Sequence, residues 1–217
     1  MAMLPKYENA LAARSVNPPN PPLTTELGTP RLVLRPPHTG DVAAIRHLVR
    51  ENYEHLRPWK PASSPGEDLC SITGVSNTVL RHRRDWKRGT GYVFFLTRRA
   101  SKSPFIGKIA LSSVVRGALQ SAYLGYWVDA CAQGQGLATE GVAAAIDFGF
   151  GPLGLHRIQA AIMPKNSKSL RVIEKAGFRR EGYAVRYLYI GGVWEDHVIF
   201  ARTREEYELD RASNQIK

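Results

Sequence analysis

A glycine loop between a strand and a helix limits most strongly what this chain can fold into. The strand pattern at residues 122–128 leads to the loop Gln133-Gly-Gln-Gly136. Apolar residues then recur at helical spacing, namely Ala138, Val142, Ala145, Ile146 and Gly149. Two glycines one residue apart let the backbone pack around an oxyanion, at which the first amides of the helix would point. A simple strand-to-helix turn would give the same pattern, and the loop lacks both the third glycine of a Rossmann fingerprint and the lysine of a P-loop.

The rest of the chain predicts an α/β protein with a mixed sheet. Alternating apolar residues predict six further strands, at 31–35, 92–97, 105–112, 156–163, 180–190 and 193–202. Helical spacing predicts three further helices, which begin near Thr39 or Asp41, near Glu67 and at Asn166. The segment 55–61 is predicted to be a loop and Gly191-Gly192 a hairpin turn.

Length and composition suggest one domain and a cytoplasmic protein. The 217 residues divide into a proline-rich, flexible arm at 1–22, a domain at 23–210 and a tail at 211–217. The two cysteines, Cys70 and Cys131, lie too far apart for a CxxC pair, which argues against a disulfide framework or zinc ribbon. The sequence has neither an apolar run of about 18 residues nor a secretory signal, so no membrane partner is expected.

The charge balance indicates an anionic partner without identifying it. Thirty Lys and Arg residues stand against 19 Asp and Glu residues, for a net charge of +11. The positive electrostatic field of a protein with this charge attracts phosphorylated cofactors, nucleic acid or acidic proteins. The basic run at 81–88, RHRRDWKR, is either a solvated helix face or a contact for an anionic partner.

A set of short motifs resembles those of a known family. They are Arg31-Leu-Val-Leu-Arg35, Leu56-Arg-Pro-Trp59, Leu124-Gly-Tyr-Trp127, Gln133-Gly-Gln-Gly136, Leu155-His-Arg157, Asn166-Ser-Lys-Ser169, Gly177-Phe178, Glu181-Gly-Tyr183 and Trp194-Glu-Asp-His197. Together they resemble the GNAT superfamily of acyl-CoA N-acyltransferases, and more closely its Rim-type ribosomal-protein alanine N-acetyltransferases. The resemblance covers about residues 24–205. It implies a GNAT fold, in which a mixed central sheet is splayed at the cofactor site and flanked by helices.

The resemblance also implies which residues bind acetyl-CoA, the expected co-substrate. Trp127, Val128 and Asn166 would contact its pantetheine arm. The loop and the helix start would hold its phosphates through Gln133, Gly134, Gln135, Gly136, Leu137, Ala138 and Thr139. Ser169 would be the acid for the leaving thiolate, because Ile173 stands where many members carry a catalytic tyrosine. A second departure is Cys131, which replaces the usual Gln or Arg and removes one expected phosphate contact.

The acceptor side is less closely defined. Trp59, Glu51, Glu54 and Asp196 are expected to bind the acceptor, and the general base is left open among the acidic residues of these segments. An N-terminal α-amine, with a pKa of about 7.7–8.0, is more easily neutral than a lysine amine at about 10.4. No metal is expected, since the six histidines show no ligand spacing.

The resemblance therefore implies acetyl transfer to the N-terminal alanine or serine of a protein such as a ribosomal protein. It also implies association with the ribosome, by an enzyme that is a monomer or a homodimer. Two alternatives stay open: acetylation of a small-molecule amine such as a polyamine or antibiotic, and a non-catalytic module that binds acyl-CoA or nucleic acid.

Overall fold

The computed structural model describes residues 18–61, 68, 70–99 and 105–215, and in them a mixed eight-stranded sheet. Its strands are β1 Leu27–Gly28, β2 Leu32–Arg35, β3 Tyr92–Arg98, β4 Gly107–Val115, β5 Ser121–Val128, β6 Arg157–Ile162, β7 Arg179–Ile190 and β8 Val193–Thr203. Their spatial order is β1-β2-β3-β4-β5-β6-β8-β7. The flanking helices are α1 Val42–Glu51, α2 Tyr53–Leu56, α3 Ile72–Arg88, α4 Leu137–Phe150, α5 Ser167–Lys175 and α6 Arg204–Gln215.

The sheet is splayed between its two parallel neighbours, β5 and β6. They pair only over three residues each, from Ser121–Tyr123 to Arg157–Gln159. Strand β5 continues to Val128, still paired with β4 on its other side. Alternate backbone groups of residues 124–128 therefore face the gap instead of a neighbouring strand. The predicted fold, a mixed sheet splayed at one point and flanked by helices, is confirmed.

Helix α4 packs closely on one face of the sheet because two of its residues are glycines. A Cβ atom at Gly141 would lie 2.7 Å from Ile109 Cδ1, and one at Gly149 would lie 2.7 Å from Ile158 Cδ1. The fully buried ring of Phe148 on the same helix lies 5.1 Å from that of Phe94 on β3. This close approach fixes where the glycine loop before α4 meets the sheet.

A smaller apolar cluster covers the other face. It joins residues of α1, α3 and β3 with Phe105, namely Ile45, Leu48, Val75, Val79, Val93, Phe95 and Phe105. Along β3, successive residues alternate between the two clusters, as a strand buried on both faces requires. Strand β3 is therefore covered on one face by α4 and on the other by α1 and α3.

Two helices were not predicted. Helix α2 lies at the start of the segment predicted as a loop, and α6 occupies residues assigned to the end of the domain and to the tail. Most of α6 is polar, so its sequence carries no broad apolar stripe. Its Tyr207 is buried, and the Tyr207 hydroxyl donates a 2.7 Å hydrogen bond to Asp147 of α4. Tertiary contacts of this kind override weak local patterns.

The proline-rich segment is anchored at its end. The indole Nε1 of Trp86 donates to the carbonyl oxygen of Pro21 at 2.7 Å, and the Tyr92 hydroxyl donates to Asn20 Oδ1 at 2.5 Å. Asn20 and Pro21, at the end of the predicted arm, are thus hydrogen-bonded to the domain, and residues 1–17 of that arm lie outside the described part of the chain. Over the described residues, none of the helices combines the length and apolar character that crossing a membrane requires.

Candidate functional site

The gap between β5 and β6 opens into a cleft of about 920 Å³. It is bounded by the end of β5, the glycine loop with the start of α4, helix α5 and helix α2. Eleven of the residues singled out from the sequence line it: Trp59, Trp127, Val128, Gln133, Gly134, Gly136, Leu137, Ala138, Thr139, Asn166 and Ser169. Gln135, Glu51, Glu54 and Asp196 do not.

The glycine loop presents backbone amides to this cleft. Gly134 and Gly136 have φ values of +72° and +75°, a region that other residues rarely adopt. Helix α4 begins directly after Gly136, and no side chain caps its N-terminus. The first amides of α4 are therefore available to an anion, and the helix dipole favours negative charge at this end. The space around Gly134 is open, since a Cβ atom there would meet nothing within 4 Å.

The outer side of the loop is held by arginines. The Arg31 guanidinium donates to the Gln135 carbonyl oxygen at 2.8 Å and to Glu140 of α4 at 2.6 Å. Arg98 donates to Gln135 Oε1 at 2.7 Å. Burial opposes ionisation of Glu140, but hydrogen bonds from Thr29 and Arg31 outweigh it and lower the pKa of this carboxyl group. The Gln135 side chain thus braces the loop from outside and does not line the cleft, and its contact with the co-substrate stays a prediction.

Helix α5 places Ser169 beside the gap between β5 and β6. The Asn166 side chain accepts a hydrogen bond from the Ser169 amide at 3.2 Å and so caps α5. The Tyr126 hydroxyl on β5 donates to the Ser169 carbonyl oxygen at 2.8 Å, which ties α5 to β5 across the gap. Burial raises the pKa of the Tyr126 phenol, so the hydroxyl stays protonated and remains a donor. Sequence reasoning missed Tyr126, although it lies within the Leu124-Gly-Tyr-Trp127 motif.

The cleft is rimmed by cations on the α5 side. Lys165, Lys168, Arg171 and Lys175 all line it, and among the described residues no acidic side chain does. Spacing could have revealed part of this set, because residues 168, 171 and 175 follow at i, i+3 and i+7 on one helix face. Such a face suits a ligand with several negative charges.

A chain of three side chains crosses the mouth of the cleft. Lys168 Nζ donates to Gln133 Oε1 at 2.7 Å, and Gln133 Nε2 lies 2.7 Å from His55 Nε2. With the amide oriented in this way, Gln133 donates and the imidazole nitrogen of His55 accepts. This chain joins the glycine loop to both α2 and α5. It also brings His55, which sequence reasoning did not single out, to the cleft.

The carboxylates expected on the acceptor side lie elsewhere. Glu51 is exposed on α1, and Glu54 pairs with Arg57 at 3.2 Å. Asp196 accepts hydrogen bonds from the Arg186 amide at 2.7 Å and from the Tyr183 hydroxyl at 2.8 Å, which lower the pKa of Asp196. Of the residues expected to bind the acceptor, the cleft therefore contains Trp59 alone.

Comparison with known proteins places this geometry in a family. Residues 31–179 match the acetyltransferase (GNAT) domain. The ribosomal protein uS5-alanine N-acetyltransferase of Escherichia coli is 36% identical over 185 residues, which cover 85% of this chain and 94% of that enzyme.

Solved structures agree with the sequence match. Mycobacterium smegmatis RimJ in complex with CoA-disulfide superimposes with a TM-score of 0.78 at 31% identity, over 88% of this chain and 95% of RimJ. The ribosomal-protein-S5-alanine acetyltransferase of Vibrio fischeri gives a TM-score of 0.78 at 29% identity, over 83% of this chain and 97% of that one. By sequence and by fold, the chain belongs to the GNAT acetyltransferase family and is an N-acetyltransferase.

Proposed function

We propose that this enzyme transfers the acetyl group of acetyl-CoA to the N-terminal amine of a protein, with alanine or serine at the first position and ribosomal proteins as the acceptor class. The observation that carries the proposal is the charge of the cleft, which is cationic on α5 and has no acidic side chain among its described lining residues. The names of the Escherichia coli and Vibrio fischeri relatives support the same acceptor class.

The residues of the cleft fit acetyl-CoA. The uncapped amides of α4, with the open space at Gly134, suit a pyrophosphate. The cations of α5 would contact the remaining phosphate charge. The edge of β5 at Trp127 and Val128, together with Asn166, would hold the pantetheine arm, because backbone groups there face the gap.

Acetyl transfer from a thioester to an amine requires three contributions from the protein. A backbone amide near Val128 would stabilise the oxyanion that develops on the thioester carbonyl. The Ser169 hydroxyl would protonate the departing thiolate, a modest task because a free thiol has a pKa of about 8.5. The amine must lose a proton, and among the described lining residues we assign this role to the His55 imidazole, whose Nε2 would exchange its hydrogen bond with Gln133 for one with the amine. An α-amine with a pKa of about 7.7–8.0 needs little further help.

The same charge distribution disfavours the small-molecule alternative. A polyamine or aminoglycoside carries several positive charges, and its binding normally requires carboxylates. Glu51, Glu54 and Asp196 could have formed an acidic pocket, but none of them lines the cleft. A protein N-terminus brings a single amine and therefore meets less repulsion.

The proposal also covers the cellular location of the enzyme, its oligomeric state and its association with ribosomes. We place the enzyme in the cytoplasm, as a monomer or homodimer that associates with ribosomal particles or their proteins. The net charge of +11 favours approach to RNA-rich particles. Sedimentation of the enzyme with and without ribosomes, at low and moderate salt, tests this part.

An acceptor panel tests the proposed reaction. Thiol release from acetyl-CoA is measured with peptides that begin with Ala or Ser, with a lysine peptide whose terminus is blocked, with spermidine and with an aminoglycoside. We expect turnover on the free α-amines and none on the same peptides after N-terminal acetylation. Turnover on spermidine or the aminoglycoside alone would overturn the proposed acceptor while leaving the enzyme class intact.

A further inference from the structure

A second cavity lies apart from the cleft, between α3 and the strands β3 and β4. Its volume is about 460 Å³, and none of its lining residues borders the cleft. Its polar lining comes from α3, from the turn that follows it and from β4, namely Arg81, His82, Asp85, Thr90, Lys108, Ser112 and Ser113. The acetyl-transfer chemistry described above uses none of these residues.

Lys108 is an unusual residue for such a position. It lies on β4 directly opposite Trp127, and among the described residues no carboxylate lies within ion-pair distance of its ammonium group. Burial, with smaller contributions from Lys60 and Arg81, lowers the pKa of Lys108 to about 8. The group is still largely protonated at pH 7, so a partly buried cation faces this cavity with no carboxylate in direct contact with it.

His82 adds an unsatisfied polar atom to the same cavity. Its Nε2 is buried and has no hydrogen-bond partner in the described part of the chain. Burial, followed by the charges of Lys108 and Arg81, lowers the pKa of His82 to about 3, so the ring is neutral. A neutral imidazole with its proton on Nε2 is a hydrogen-bond donor.

The charges of the cavity favour an anion over a cation. Arg81 and Lys108 contribute two positive charges, and Asp85 contributes the one negative charge of the described lining. The hydroxyl groups of Thr90 and Ser112 are further donors. A phosphate group suits this set better than a carboxylate does, because it carries up to two charges and three acceptor oxygens.

We propose that this cavity is a phosphate-binding site, in which the Lys108 ammonium group is the central contact and Arg81, His82 and the nearby hydroxyl groups supply further donors. The phosphate would come from a free phosphate or phosphate ester, or from the backbone of an RNA. Exposed cations on the same helix, Arg84, Lys87 and Arg88, would receive the neighbouring phosphates of an RNA.

Isothermal titration calorimetry of the full chain tests the site, with inorganic phosphate and a short single-stranded RNA as separate probes at constant ionic strength. The test variant is Lys108→Met, which keeps the length of the side chain and removes its charge. The control is Arg180→Met, which removes an exposed positive charge on β7 from a residue that lines neither cavity. We expect phosphate affinity to fall at least tenfold in Lys108→Met and to change less than twofold in Arg180→Met.

The two probes distinguish the source of the phosphate. Binding of inorganic phosphate that depends on Lys108 supports a small-molecule site. Binding of RNA alone, again dependent on Lys108, supports contact with a nucleic-acid backbone. The proposal is overturned if neither probe binds, if Lys108→Met binds both as the wild type does, or if Arg180→Met loses phosphate to the same extent as Lys108→Met. Arg81→Gln serves as the second test variant if circular dichroism shows that Lys108→Met is unfolded.

Discussion

The two sides of the cleft are built in different ways. On the side that would bind acetyl-CoA, the donor side, the backbone of the glycine loop and the start of α5 follow from local features. These are the positive φ values of Gly134 and Gly136 and the cap that Asn166 gives to Ser169, and Arg31 and Arg98 then brace the loop from outside. On the acceptor side, residues of α2 meet the loop across long sequence separations, as His55 meets Gln133. The donor side could therefore be predicted from motifs, whereas the acceptor side could not. We therefore expect substitutions of the predicted donor-side residues to reduce acetyl-CoA affinity or turnover more than substitutions of the predicted acceptor-side carboxylates.

The largest effect is expected from Gly134→Ala. At a φ of +72°, an alanine costs about 1–2 kcal/mol of strain. The loop can relieve that strain only by moving the amides that would bind phosphate. Since 1.4 kcal/mol corresponds to a factor of ten, we expect acetyl-CoA affinity to fall about tenfold or more, measured by titration calorimetry.

Gly117 provides a matched control for this prediction. Its φ is +68°, and a Cβ atom there would also meet nothing within 4 Å. Gly117→Ala should lose similar stability on thermal unfolding and retain its affinity for acetyl-CoA. Equal affinity losses in both variants would show that the loop has no special role on the donor side.

The second largest effect, a reduction in kcat, is expected from Ser169→Ala. Loss of a general acid typically slows a reaction by a factor of 10² or more, but a thiolate needs less help than most leaving groups. We therefore expect kcat to fall about tenfold, with KM for acetyl-CoA nearly unchanged. Ser167→Ala, the same change two residues earlier on α5, should be close to wild type. An inactive but folded Ser169→Ala would assign the hydroxyl a larger role.

A smaller effect is expected from Tyr126→Phe, which removes the hydrogen bond that joins β5 to α5. Such a bond contributes about 1 kcal/mol, so kcat/KM should fall about fivefold at most. Tyr123→Phe removes a hydroxyl from the same strand, on a residue that does not line the cleft, and is the control. Equal kinetics for both variants would mean that α5 is positioned without this bond.

The smallest effect is expected on the acceptor side, from Glu51→Gln, Glu54→Gln and Asp196→Asn. Because these carboxylates lie outside the cleft, each change should alter kcat/KM by less than about twofold, as surface charges usually do. His55→Gln should slow the reaction more than any of the three, since His55 does line the cleft. A large loss in Asp196→Asn would show that the acceptor reaches the β7–β8 hairpin.

The sequence-based prediction succeeded where the structure depends on short-range order. The strand patterns, the helix after the glycine loop and the Gly191-Gly192 hairpin are confirmed, because apolar period and turn residues act within a few positions. It did not indicate where the Gln135 side chain lies, which is against Arg98 on β3 and outside the cleft. The motif gave no sign of this, since the direction of a side chain depends on the partner that the fold brings near.

Sequence alone determined the position of the glycine loop, which follows from residues adjacent in the chain. It also determined the family resemblance, whose motifs spread over about residues 24–205 and which implied the splayed sheet. Tertiary structure alone decided which charges border the cleft, and it moved Glu51, Glu54 and Asp196 outside while bringing in His55 and the cations of α5. It also joined Tyr126 to Ser169 across 43 positions and His55 to Gln133 across 78. Contacts over such separations depend on how whole elements pack, and no local pattern records that packing.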